Sequence, residues 1–150
     1  NAGRKVALSL SDSFCVNRHR ESFIKLIGGY IDILFANEEE ITTLYKTSSL
    51  NTAIEKLKKK CNLAAITIGE KGSILISNGK EIQIDPFIIG KAIDTTGAGD
   101  LYAGGFLKGL ADGLKPEASA KIGSICAGQI VTQLGSRSNE DLLNLVNSHL

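Results

Sequence analysis

Asp94-Thr95-Thr96-Gly97-Ala98-Gly99-Asp100, continued by Leu101-Tyr102-Ala103-Gly104-Gly105-Phe106-Leu107, is the stretch on which the reading of this chain turns. It is a run of small residues that opens into a helical pattern. With no bulky Cβ groups in the way, the backbone N–H groups of Gly97, Ala98 and Gly99 can converge on one point. A helix N-terminus adds partial positive charge there, which suits a phosphate or a charge-rich transition state. Asp100 sets a carboxylate one residue beyond those amides. Beside a phosphate that is merely held, this charge would repel; it makes chemical sense as a base taking a proton from a hydroxyl that attacks the phosphorus. The plainer reading is a glycine-rich turn with a helix-capping aspartate. Against it, Ala103, Gly104 and Gly105 continue the small residues along the helix and point to close backbone packing near a ligand.

Working outward from this stretch, strand-like and helix-like segments alternate. Lys5 to Leu10 reads as a buried strand closed by Ser11 and Asp12. Phe23, Ile24, Leu26 and Ile27 give a short helical face stopped by Gly28 and Gly29. Ile31 to Ala36 is a compact apolar run, hence a buried strand. Asn37 can cap the next helix, with Glu38, Glu39 and Glu40 in its first turn. Ala53, Ile54 and Leu57 form another helical face, and Lys58, Lys59 and Lys60 suit its C-terminal end. Leu63 to Ile68 is a second apolar strand. Asn78-Gly79 between the alternating runs 73–77 and 81–84 predicts a hairpin. After the decisive stretch, helices are predicted over 101–110, 118–132 and 141–146, with Pro116 in the first turn of the second. Such alternation implies an α/β sheet covered on both faces.

Composition narrows the function class. Over 150 residues, 43% are hydrophobic and 22% charged, with a formal charge of +1. These are the proportions of a soluble globular protein. No basic stripe stands out, so nucleic acid is not the expected partner. Cys15, Cys61 and Cys126 are an odd number without CxxC spacing, which argues against a disulfide framework or zinc and favours a reducing cytoplasm. His19 and His149 lie in polar surroundings without metal-ligand spacing. No apolar run reaches the ~18 residues needed to cross a bilayer, so no membrane partner is expected. The opening, without an initiator Met, predicts a fragment that starts inside a larger fold.

The segment from Asp94 to Leu107 resembles the C-terminal signature of the ribokinase (PfkB) family of carbohydrate and nucleoside kinases. The resemblance implies that Asp100 is the catalytic base and that Gly97, Ala98 and Gly99 form the anion hole. Asn37-Glu38-Glu39-Glu40 resembles the family's NxxE motif, in which Asn37 and Glu40 would help organise magnesium and phosphate, often through water. An acidic first turn on a capped helix explains the same residues. Thr67-Ile68-Gly69-Glu70-Lys71-Gly72 resembles the TxGxxG segment, so Thr67, Gly69 and Gly72 would touch the ATP phosphates, as would Thr95. An ordinary strand-to-strand turn is the alternative there. The resemblance further implies a potassium ion beside the anion hole, with Asp94 and Thr96 matching its first half. The loop through Gln133, Gly135 and Asn139 lies roughly where the second half would be.

The resemblance runs from Lys5 to about Val146 and corresponds to the family's C-terminal half. It implies a three-layer α/β/α sandwich with a mainly parallel sheet, truncated on its N-terminal side. On this reading residues 1–150 are the ATP-binding and catalytic half of the domain, without the N-terminal half and its lid. The expected function is ATP-dependent phosphorylation of a hydroxymethyl group on a sugar or nucleoside, with ATP and Mg2+ and, by the same resemblance, K+. The stretches Leu10 to Val16 and Asp94 to Leu107 resemble bacterial members of the family described as adenosine or sugar kinases. A homodimer would form through the missing lid, and the 150-residue piece alone is expected to be weakly active or inactive. The rival is a module of the same fold that binds a nucleotide or phosphosugar without transferring phosphate. Retention of Asp100 argues against that rival.

Overall fold

The computed structural model describes residues 3–150, which divide into two compact units. One contains the chain up to Ile68 together with Ile74–Ile82; the other contains Gly69–Ser73 and Gln83–Leu150.

Most of a five-stranded sheet, in the order β1-β2-β3-β4-β5, belongs to the first unit. Its strands are β1 (Ala7–Ser9), β2 (Ile33–Asn37), β3 (Leu63–Thr67), β4 (Ser73–Ser77) and β5 (Lys80–Ile84). β1, β2 and β3 run parallel, with Leu8 opposite Leu34 and Asn37 opposite Thr67. The two-residue turn Asn78-Gly79 joins β4 to β5, with φ of 50° and 78° respectively. Both residues thus take the left-handed conformation that such a tight hairpin demands. Four helices accompany the strands: α1 (Ser13–Arg18), α2 (Arg20–Ile27), α3 (Glu38–Leu44) and α4 (Leu50–Lys58). The core beneath them joins Leu34, Ala36, Ala64, Ile66 and Ile76 of the sheet to Val16, Ile27, Ile41, Leu44, Ala53, Ile54 and Leu57 of the helices. β2 is buried at four successive positions, Ile33 to Ala36. Since successive side chains alternate in direction, both of its faces are out of water, which is why it reads as an unbroken apolar run.

Two expectations for this unit need correction. β1 forms, but it is not a buried strand: Ala7 and Ser9 are exposed and Leu8 only half-buried. Among the described residues it has a strand on one side only, and the buried apolar anchor is Leu10, just beyond its end. Nor do Ser11 and Asp12 close the strand. The chain turns at Ser11, whose φ is 71°, and Asp12 caps α1 by accepting from the Cys15 N–H at 2.7 Å. α1 itself escapes a periodicity reading because Val16 is its one buried residue.

The second unit is organised by α5 (Ala98–Ala111) and α6 (Pro116–Ile130), followed by α7 (Leu142–Asn147). Pro116 occupies the first turn of α6, where its missing N–H costs no hydrogen bond. α5 and α6 approach too closely for side chains at three places. A Cβ on Gly105 would lie 2.9 Å from Cys126 Sγ, one on Gly109 2.8 Å from Ser119 Oγ, and one on Gly123 2.7 Å from the Tyr102 carbonyl oxygen. The close packing expected near a ligand is therefore made at Gly105 by a neighbouring helix, while Gly104 has open space around it. Asp141 caps α7 through the N–H groups of Leu143 and Asn144. Val146 then joins Ile122, Ile125 and Cys126 in a smaller core.

Candidate active site

The sequence-predicted residues fall into two clusters, one in each unit. In the first unit, Asn37 and Thr67 are opposite one another at the carboxyl ends of parallel strands β2 and β3. That edge is where open parallel sheets offer loops and helix N-termini to ligands. Asn37 caps α3 by accepting from the Glu40 N–H at 2.8 Å. Glu40 returns the bond: Oε2 accepts from the Asn37 N–H at 2.9 Å, and Oε1 from the Asn37 side-chain amide at 2.8 Å. This is a complete reciprocal cap. Glu40 is buried, and that burial is the main reason its pKa is raised; the Asn37 N–H lowers it, and the charges of Asp12 and Glu39 raise it further. Thr67 donates to the Ala36 carbonyl at 3.5 Å. Every polar atom of the Glu40 carboxylate thus has a local partner.

The second unit gathers the signature turn and a loop far along the chain. Asp94 Oδ1 accepts from Thr96 twice, from the N–H at 2.9 Å and the hydroxyl at 2.6 Å. Its Oδ2 accepts from the Gly135 N–H at 3.0 Å. These bonds, the Thr96 hydroxyl first among them, hold the Asp94 carboxyl below its ordinary pKa. The same loop is braced by Gln133, which donates to the Arg137 carbonyl and accepts from the Asn139 N–H. Gly97 lies against it: with φ at 81°, its Cβ would sit 2.7 Å from Ser136 Cβ. A side chain there is excluded twice, by conformation and by contact.

Gly97 is also the N-cap of α5, and Asp100 lies in the helix's first turn. Of the three amides expected to converge, that of Ala98 is engaged, donating to the Thr95 carbonyl at 3.1 Å. The N–H groups of Gly97, Gly99 and Asp100 have no hydrogen-bond partner among the described residues. The Asp100 side chain is exposed and likewise unpaired. Thr95 is exposed beside them. Gly69 and Gly72 complete this unit's share. They form a tight turn in which the Gly72 N–H donates to the Gly69 carbonyl at 3.1 Å. Gly72, at φ 87°, passes so near the chain that a Cβ would meet the Ile84 carbonyl at 2.1 Å.

Two contacts at this site were invisible in the sequence. Ser136 seats Gly97, and Ser73 forms a buried hydroxyl pair with Tyr102 at 2.7 Å. No local pattern relates residues so far apart, although an aromatic two positions after Asp100 marks Tyr102 as worth inspection.

With this geometry in place, the relatives can be compared. The chain matches the family described as pfkB family carbohydrate kinase over residues 1–142. It belongs to that family. A nucleoside kinase from Methanocaldococcus jannaschii is 32% identical over 120 residues, covering 80% of this chain and 39% of that protein. A ribokinase from Lactococcus lactis is 30% identical over 121 residues, covering 81% and 39%. The solved structure of adenosine kinase from Sinorhizobium meliloti matches with a TM-score of 0.94 at 40% identity, covering 99% of this chain and 46% of that one. The chain thus spans about two fifths of the length of the curated relatives it matches. As a pfkB member it has the ribokinase-like α/β fold, with a sheet whose first three strands are parallel. Among the described residues, no cluster of His, Cys, Asp and Glu could cage a metal ion, and no helix is long and apolar enough to cross a membrane.

Proposed function

We propose that this protein transfers the γ-phosphoryl group of ATP to a hydroxymethyl group of a sugar or nucleoside, with Asp100 as general base. The observation that carries the reading is the pairing of an exposed, unpartnered carboxylate with the unpartnered N–H groups of Gly97 and Gly99 at one helix start. A carboxylate serving only as a cap would be spent on those amides. Here both groups remain available, one to accept a proton and the others to meet developing negative charge.

In the proposed reaction, the acceptor hydroxyl oxygen attacks the γ-phosphorus while the bond to the β-phosphate oxygen breaks. Asp100 takes the hydroxyl proton, and the Gly97 and Gly99 amides stabilise charge on the transferred group. Thr67, Gly69, Gly72 and Thr95 would contact the nucleotide. Residues 1–150 would serve as the ATP-binding and catalytic half of a longer domain, a reading that rests on the greater length of the relatives.

Magnesium suits Glu40 and Asn37 in one mode. Both Glu40 oxygens already accept bonds from Asn37, and among the described residues no cage of carboxylates surrounds them, so the residues fit a cation held through water and phosphate. Bound there, the ion would neutralise phosphate charge. Potassium would use the Asp94 oxygens and the carbonyls of the 133–139 loop that Asp94 fastens.

The test is a coupled ADP-release assay on the full-length gene product with sugars and nucleosides, run beside calorimetric titration with ATP. Substrate-stimulated ADP release that falls at least ~100-fold in Asp100→Asn, with little change in ATP affinity, is expected. Near-normal turnover in that variant removes the assigned base. ATP binding without stimulated release favours a nucleotide sensor.

A further inference from the structure

Tyr102 and Ser73 are both almost wholly buried, at 3% and 1% exposure, and their hydroxyl groups lie 2.7 Å apart. A buried hydroxyl is costly unless paired, and two apolar residues would fill the same space without that liability. What a hydroxyl pair adds to packing is direction: it fixes one segment in register with another. The segments joined here are two that the proposed function assigns to the phosphates. Ser73 follows Gly72 directly, at the end of the tight Gly69–Gly72 turn. Tyr102 follows Asp100 by two residues on the first turns of α5.

Neither partner has freedom to drift. The turn before Ser73 is fixed by the close passage of Gly72 against the Ile84 carbonyl and by Gln83 Nε2, which donates to the Lys71 carbonyl at 2.8 Å. The ring of Tyr102 rests over Gly123, where a Cβ would lie 3.3 Å from its ring carbons, and it stacks on Phe106 with centroids 6.4 Å apart. The hydroxyl bond therefore connects two stiff pieces.

We propose that the Ser73–Tyr102 hydroxyl pair is a positioning latch that holds the Gly69–Gly72 turn in register with the start of α5, so that the nucleotide phosphates and the Asp100 carboxylate are aligned for transfer. Tyr102 and Ser73 are positioning residues, acting through the turn and through α5. The catalytic consequence rests on the kinase reading above, whereas the mechanical coupling does not.

The variants are Tyr102→Phe, Ser73→Ala and the double substitution, each in the full-length gene product. Hydrogen exchange on the ligand-free protein tests the coupling. The hydrogen-bonded amides of the two segments, Gly72 in the 69–73 turn and Leu101 at the start of α5, should exchange faster together, by roughly 10-fold, in either single variant. Faster exchange confined to one of the two segments overturns the latch. Steady-state kinetics test the consequence. Each single variant should lower kcat by roughly 10-fold while KM for ATP moves less than about 2-fold, and the double variant should be no worse than the singles. A lowered Tm with unchanged kcat, or strictly additive losses, reduces the pair to a packing contact and overturns the proposal. Normal turnover in Asp100→Asn would sink the kinase reading while leaving the exchange result to judge the latch.

Discussion

The Asn37–Glu40 cap and the Gly97–Asp100 turn both start a helix, both carry an acidic residue in the first turn, and both resemble a phosphate or metal motif. They differ in what their polar groups do without a ligand. At the first, each carboxylate oxygen of Glu40 accepts a bond and the side chain is buried. At the second, Asp100 is exposed, and its carboxylate and the amides of Gly97 and Gly99 have no hydrogen-bond partner among the described residues. A motif whose groups satisfy one another is explained by folding alone, and a ligand is an addition to it. A motif that leaves donors and an acceptor open on one helix turn, behind a glycine that tolerates no side chain, is not explained by folding alone. Sequence resemblance cannot make this distinction, because the two readings use the same letters.

The comparison can be broken by stability measurements on variants at the two motifs. Gly97→Ala should cost most, about 1–3 kcal/mol in urea denaturation, because it combines a left-handed φ with a Cβ against Ser136. Glu40→Ala comes next, at about 0.5–2 kcal/mol, from loss of the reciprocal cap on α3. A smaller effect is expected from pH. Burial raises the Glu40 pKa above its ordinary 4.5, so the folded state holds that proton more tightly than the unfolded chain. Stability from this group is present at low pH and is lost as pH rises through the window above 4.5. Urea midpoints from about pH 4 to about pH 7 should show this slope in the parent and a flatter one in Glu40→Gln. Asp94 acts oppositely: its pKa lies below the ordinary 3.8, so its contribution is present above that value and is lost at more acidic pH. Smallest of all should be Asp100→Asn, within about 0.5 kcal/mol of the parent, because its side chain has no bond to lose. Destabilisation by more than that would mean Asp100 is a structural cap after all, and the contrast between the two motifs would collapse.

How legible each element was depended on how local its cause is. The run Ile33–Ala36, the Asn78-Gly79 hairpin, the Pro116 start of α6 and the Asn37 cap of α3 are set by neighbours within a few residues, and all were readable. β1 was placed correctly but assigned the wrong burial, since exposure depends on what flanks the strand in the sheet and not on its own letters. α1 was missed because one buried residue makes no period. At the site, the small residues of the signature and of the Thr67–Gly72 segment were legible as small, but their purpose was not. Gly105 is small for α6, Gly97 for Ser136, and Gly72 for the Ile84 carbonyl. Each reason lies beyond the window that a pattern can span.

The bond from the Gly135 N–H to Asp94 bridges 41 positions of the chain, and it is made only after two helices have been laid down between its ends. During synthesis the signature turn must therefore wait, unfastened, until the ribosome has released the segment around Ser136 that seats Gly97. A nascent chain halted before that point would carry every residue of the motif in order and still lack the contacts that fasten it, so the final shape of this turn should be a late event in folding.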